Sequence, residues 1–249
     1  MVKRRGTLVL IALGVVSLVL LWGWSQLKKL DYFNLRRVDI RMESRVSKEE
    51  IVELAGLHLG QNIFSLDLEE VRKRIEAHPW VARAFVSRKL PDTIFIRVEE
   101  EQPVAMVSFK KEVFLVNAQG RLFAPATAQL MKELPALTGL SEEEFKARNL
   151  SPRRKPVLSL LVRLKKDEGL VPCYANISQI KFLSDGFVLL TRDAIRVRFK
   201  GESLEDFLRA YRQLDRIMAY LYRTKQYARV KAVRLDYPEG QAALIFREG

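Results

Sequence analysis

The chain has 249 residues, 48% hydrophobic and 29% charged, a balance that excludes a disordered or low-complexity polypeptide. Its one cysteine, Cys173, excludes an intrachain disulfide and a cysteine-based zinc site, and its two histidines, His58 and His78, are too isolated to supply convergent metal ligands. The formal charge of +13 comes with interspersed acids and no basic arm carrying stacking aromatics, so it points to an anionic membrane surface or acidic partners rather than nucleic acid.

Behind a basic tip (Lys3, Arg4, Arg5), Thr7 to Trp24 carries no charge, close to the shortest run that spans a ~30 Å hydrocarbon core. Trp22 and Trp24 sit at its far end, where indole rings favour the headgroup region. Gly23-Trp24-Ser25 offers a cleavage-like small-x-small pattern, but the run exceeds the about 7–15 apolar residues usual for a cleaved signal. The expectation is a tail over residues 1–6 and a retained transmembrane anchor over 7–27. Lys28, Lys29, Arg36 and Arg37 follow closely, so the charge count does not decide which side the rest occupies.

Phe33 to Gln102 reads as one unit over 33–102. Val38 and Ile40 alternate with charged neighbours, as in a half-buried strand. Ser47-Lys48-Glu49-Glu50 is a capping box opening a short helix with Ile51, Leu54 and Ala55 on its apolar face and Gly56 as its stop. Asp67 opens a second helix with Leu68, Val71 and Ile75 inward, and His78-Pro79 closes it. Two strands follow, Trp80 to Arg88 and Thr93 to Glu99, turning at Leu90-Pro91-Asp92, with Ile94, Ile96 and Val98 buried. The acidic run Glu99-Glu100-Glu101 reads as a solvated strand end, and no acid/base pair follows from it. The predicted order is β-α-α-β-β, helices on one face of a three-stranded sheet.

Residues 103–249 form the second predicted unit. Val113 to Val116 and Arg121 to Phe123 flank the turn Asn117-Ala118-Gln119-Gly120. Helix-period apolar residues fall at Leu158, Leu161 and Val162, then strands over Ile177 to Leu183, Phe187 to Thr191 and Ile195 to Phe199. Ser203 caps a long amphipathic helix with Leu204, Phe207, Leu208, Tyr211, Leu214, Met218 and Leu221 on one side, spacing that suits packing on its own sheet better than a coiled coil. Val230 to Tyr237 and Ala242 to Phe246 close the chain as a hairpin about Pro238-Glu239-Gly240. The predicted class is α+β, a mainly antiparallel sheet in the second unit.

Several segments resemble the FtsQ/DivIB family of bacterial cell-division proteins. Gly60-Gln61-Asn62-Ile63-Phe64 is similar to that family's G-x-N-I-F turn, Pro79-Trp80-Val81 to its P-W-V strand entry and Arg88 to Thr93 to its R-x-x-P-D-T hairpin. Pro103-Val104-Ala105, Leu134 to Gly139 and Val233-Arg234-Leu235-Asp236-Tyr237 resemble its P-V-A, L-P-x-L-x-G and V-D-L-R-Y segments, the last with Asp and Arg exchanged. Glu101 departs from the basic residue often found there. The resemblance implies a POTRA domain followed by a β domain. It further implies an inner-membrane, single-pass scaffold of the divisome, with its C-terminal domains outside the cytoplasm at the septum. Such a scaffold would link early cytoplasmic division proteins to septal peptidoglycan synthases through FtsB/DivIC-like and FtsL-like partners.

No sequence feature supports enzymatic activity, a cofactor, a metal or a small-molecule substrate: there is no glycine-rich phosphate loop, and neither histidine lies near a nucleophile elbow. The C-terminal hairpin has nothing predicted to cover its outer edge, and an open edge is a template for a partner strand. The expected contact residues are therefore Tyr237, Gly240, Ala243, Ile245 and Phe246. Two other functions stay open at this point. One is a POTRA-bearing secretion or outer-membrane assembly component, which would need many alternating barrel strands. The other is a membrane-anchored envelope hydrolase working through carboxylates.

Overall fold

The computed structural model describes residues 14–17, 31–109, 111–167, 169–238 and 240–247. Of the expected anchor at 7–27 only Gly14 to Ser17 fall among them, in helical conformation; the remainder lies outside the described residues. Among the described residues no helix is long and apolar enough to cross a membrane. The chain divides into two compact units between Glu101 and Gln102.

The first unit runs β1 (Arg37–Arg41), α1 (Lys48–Ala55), α2 (Leu68–Glu76), β2 (Val81–Lys89) and β3 (Thr93–Glu100). The sheet order is β1-β3-β2, with β1 parallel and β2 antiparallel to the central β3. Ile51 and Ala55 of α1, Val71 and Ile75 of α2, and Ile94, Ile96 and Val98 of β3 meet in one core. Ser47 accepts the Glu50 N–H, but the capping box is only half made: the Glu50 carboxylate turns to the His78 ring, 3.2 Å from Nε2. His78 Nδ1 accepts the Trp80 N–H, so this histidine ties the end of α2 to the start of α1.

The sequence motifs of this unit have structural explanations. Arg88 crosses from β2 to donate to the carbonyls of Ile63 (2.7 Å) and Leu66 (2.6 Å), pinning the Gly60–Phe64 turn. Asn62 closes that turn by accepting the Phe64 N–H at 3.0 Å. The acidic run corrects the sequence-based expectation. Only Glu99 is solvated; Glu100 and Glu101 are 6% and 5% exposed. Glu100 accepts the Arg45 N–H, and the Glu101 N–H donates to Trp80.

The second unit is built on a nine-stranded sheet ordered β12-β11-β10-β9-β8-β7-β4-β5-β6. Its strands are β4 (Pro103–Phe109), β5 (Glu112–Asn117), β6 (Leu122–Pro125), β7 (Ala136–Thr138), β8 (Ile177–Leu183), β9 (Gly186–Thr191), β10 (Arg196–Lys200), β11 (Val230–Arg234) and β12 (Ala243–Phe246). Five neighbouring pairs are antiparallel; β4–β7, β7–β8 and β10–β11 are parallel. Parallel pairing requires long crossovers. These are supplied by the short helices α3 (Ala128–Glu133) and α4 (Glu142–Lys146), then by α5 (Lys155–Lys166) and α6 (Leu204–Arg223). The strands β4 and β7 and the helices α3 and α4 had no counterpart among the predicted elements.

The long helix α6 packs on its own sheet. Phe207 meets Phe187 edge-on at 4.9 Å, and Tyr211 stacks on Phe199 at 5.8 Å, with Phe187 and Phe199 themselves stacked at 4.6 Å. Both halves of its capping box, Ser203 and Asp206, are formed.

Glu144 of α4 is a nearly buried carboxylate held by several donors. It is 9% exposed, and burial raises the cost of its charge. That cost is outweighed by Arg154 Nε at 2.7 Å and by the Ser141 and Ser151 N–H groups, which hold its carboxyl down to about 2. A depressed carboxyl contributes stability that is present above its unfolded value of about 4.3 and lost as the pH falls toward the folded value. Glu144→Gln should therefore lower the free energy of unfolding at pH 7 by about 2 kcal/mol and flatten its fall between pH 5 and 2. Urea titrations of both proteins across that range check it; parallel curves would show that the ion pair contributes no stability.

Candidate functional site

The two edges of the nine-stranded sheet are treated differently. On the β6 side the ladder is closed by a loop: the Leu122 N–H bonds to Arg148 and the Leu150 N–H bonds to Gly120, with Arg121 and Asn149 bridged between them. Pro125 at the end of β6 removes a further donor. On the β12 side no described residue pairs with the outer edge. Alternate main-chain N–H and C=O groups of Ala243–Phe246 consequently face outward.

β12 is held in place by its inner neighbour. Ala243 lies opposite Arg234, Leu244 opposite Val233, Ile245 opposite Ala232 and Phe246 opposite Val230, with a bulge between Val230 and Ala232. The Arg247 N–H adds a bond to Arg229 at 2.7 Å. The preceding loop is tethered from α6, where the Gln213 side-chain amide donates to the Gln241 carbonyl at 3.1 Å. Gly240 takes φ +83° with open space around it, a conformation that only glycine adopts without strain.

Of the five expected contact residues, Ala243, Ile245 and Phe246 lie on the edge strand, Gly240 in the loop before it and Tyr237 beyond the end of β11. Ala243 and Ile245 alternate with Leu244 and Phe246, so they project to opposite sides of the sheet; Leu244 packs on the core under α6. Ile245 is 44% and Phe246 39% exposed, large apolar side chains beside a bare edge. Tyr237, 44% exposed, lies past the end of β11, which stops at Arg234 rather than at Tyr237. Its ring lies under the Arg234 guanidinium, 5.4 Å from the centroid.

A charge cluster beside this edge was not singled out from sequence. Arg234 grips Asp236 with two bonds, 3.1 and 2.7 Å, and the Arg198 side chain lies 3.8 Å from Asp236 and 2.6 Å from Asp185. The bond from Arg234 holds the Asp236 carboxyl below the ordinary carboxylate range, and Arg198 does the same for Asp185. With Asp and Arg exchanged within Val233–Tyr237, the two charges remain two residues apart and still pair with each other. The sequence signal was the i, i+2 spacing of opposite charges at the end of a predicted strand.

Residues 33–101 match the family described as POTRA domain, FtsQ-type, and residues 105–235 match Cell division protein FtsQ/DivIB, C-terminal. The chain is similar to Cell division protein FtsQ of Syntrophotalea carbinolica, 36% identical over 138 residues, which is 55% of this chain and 49% of that protein. It is 34% identical to the protein of that name from Geotalea daltonii over 54% of this chain and 49% of the other. For the one from Myxococcus fulvus the figures are 28% identity over 86% of this chain and 78% of the other. The aligned chain spans about half the length of the first two relatives.

Proposed function

We propose that this chain, which belongs to the FtsQ/DivIB family of cell division proteins, is a single-pass membrane scaffold of the divisome that recruits its partner by strand addition at β12. The observation that carries this reading is the contrast between the two sheet edges: β6 is closed by a pairing loop, whereas among the described residues none pairs with the outer side of β12, where Ile245 and Phe246 are exposed. A partner's extended segment would bond to the outward main-chain groups, and the apolar side chains flanking them on both sides of the sheet would fix its register. The partner is taken to be an FtsB/DivIC-like protein acting with an FtsL-like one, ahead of the septal peptidoglycan synthases. The uncharged run from Thr7 to Trp24 supports a membrane anchor at 7–27; the placing of the two units outside the cytoplasm rests on the family alone.

The test is a pull-down of the FtsB/DivIC-like protein by full-length variants. Tyr237→Ser with Phe246→Ser removes two exposed aromatic anchors and should weaken capture at least about tenfold, with the melting midpoint unchanged. Ala243→Pro removes a main-chain donor that serves either the partner strand or the β11–β12 hairpin; it should abolish capture, and an unchanged melting midpoint assigns the loss to the partner. Undiminished capture by the double variant would place the contact elsewhere on the chain.

A further inference from the structure

We infer that the solvent-facing side of the three-stranded sheet in the first unit is a docking surface for anionic phospholipid headgroups. The helices α1 and α2 cover one side of this sheet, packing on Val38, Ile40, Ile94 and Ile96. The alternate residues necessarily face the other way, and their register sets them in rows across the strands. Arg41, Arg97 and Phe85 form one row, and Asp39, Phe95 and Ser87 the next. Arg37 and Lys89 flank Thr93 in a third, and Arg83 lies opposite Glu99.

Five cations therefore stand on this side against two carboxylates, Asp39 and Glu99. The helix side has the opposite balance: three glutamates and one lysine on α1, and four carboxylates against three cations on α2 with its cap, Asp67. The unit is polarised, basic on the bare sheet and acidic on the helices. The aromatic rings on the basic side are roofed by guanidinium groups: Arg97 lies 4.3 Å from the Phe85 centroid and Arg41 5.3 Å from that of Phe95. Phe85 is still 37% exposed. Cations over amphipathic aromatic ground suit the headgroup layer, where arginine meets phosphate and the ring sinks beneath it.

The lipid is favoured over an acidic protein or a nucleic acid by position in the chain, a point that rests on the reading of residues 7–27 as an anchor. β1 begins thirteen residues after Trp24, at most about 45 Å of extended chain. An anchored sheet so close to the bilayer meets headgroups at high effective concentration, so weak individual attractions suffice.

The test uses the full chain with Cys173→Ala, assembled into nanodiscs containing a nitroxide-headgroup lipid. A fluorophore is placed either at Ser87→Cys on the basic side or at Lys73→Cys on α2, whose side chain is 69% exposed. Exchanging phosphatidylcholine for a mixture with phosphatidylglycerol should raise quenching at the Ser87 position at least about threefold and leave the Lys73 position unchanged. In ~1 M salt, where the Debye length falls to about 3 Å, the gain should vanish. It should also vanish with Arg41→Gln plus Arg97→Gln, under melting curves that match the parent. Equal quenching in both lipids or at both positions overturns the proposal. So does saturable, arginine-dependent binding of a single-stranded RNA by a protein blind to the lipid. Alkaline extraction reads the anchor separately: a chain that washes out overturns the anchor and this proposal together, whereas one retained with a lipid-blind Ser87 probe overturns the docking surface alone.

Discussion

Ile96→Asp is expected to unfold the first unit. Ile96 is fully buried at the centre of β3, paired with Ile40 on one side and Val86 on the other. An aspartate there must either hold an unpaired charge in an apolar interior or take up a proton, and each costs several kcal/mol. Domain stabilities are only about 5–15 kcal/mol, and a unit of this size lies at the low end. Thermal and urea melts of a Leu30 to Gln102 fragment, with the full chain beside it, should show the first unit's transition lost. Ser87→Asp, on the opposite side of the sheet, should shift the same transition by no more than about 0.5 kcal/mol. Because a one-residue slip exchanges the two sides of a strand, equal effects from the two aspartates would show that the register is not the one described here.

Gly186→Ala should damage the second unit by a different physical route. Gly186 opens β9 at φ +154°, opposite Lys200 of β10. A Cβ at this position would lie 2.2 Å from the Phe199 carbonyl oxygen and 3.0 Å from the Lys200 Cα, both main-chain atoms that cannot rotate away. The β9–β10 ladder has to open to admit it, and the stacked Phe187 and Phe199 rings are anchored on those two strands. The expected loss is about 3 kcal/mol or more, at the upper end of ordinary overpacking. Gly240→Ala, also at positive φ but in open space, should cost only the backbone penalty of about 1–2 kcal/mol. Denaturant midpoints for the two variants make the comparison. Similar values would mean that the strand pair yields easily, and that the contact at Phe199 does not govern stability.

Only local features were legible in the order of residues. Alternation in Thr93 to Glu99, the caps Ser47, Asp67 and Ser203, and the apolar stripe of α6 all follow from the pitch of a strand or helix, so they were legible before any contact was known. The Gly60–Phe64 turn and the Arg88–Thr93 hairpin were recognisable as motifs, but that Arg88 joins the one to the other is a tertiary fact. β4 stayed hidden because a central strand flanked by β5 and β7 is buried on alternate and adjacent positions alike, which erases its period. β7, three residues long, is too short to have one. Glu100 and Glu101 read as solvent-facing because charge usually is; only the folded chain brings the Arg45 N–H to Glu100 and the Trp80 carbonyl to Glu101. The candidate edge divides in the same way. Its apolar residues were visible in Ala243 to Phe246, but an edge strand is defined by the absence of a neighbour, and neighbours are assigned by the order of the whole sheet. That order depends on long crossovers, and it placed β12 outermost while the loop at Arg148 to Leu150 closed the other side.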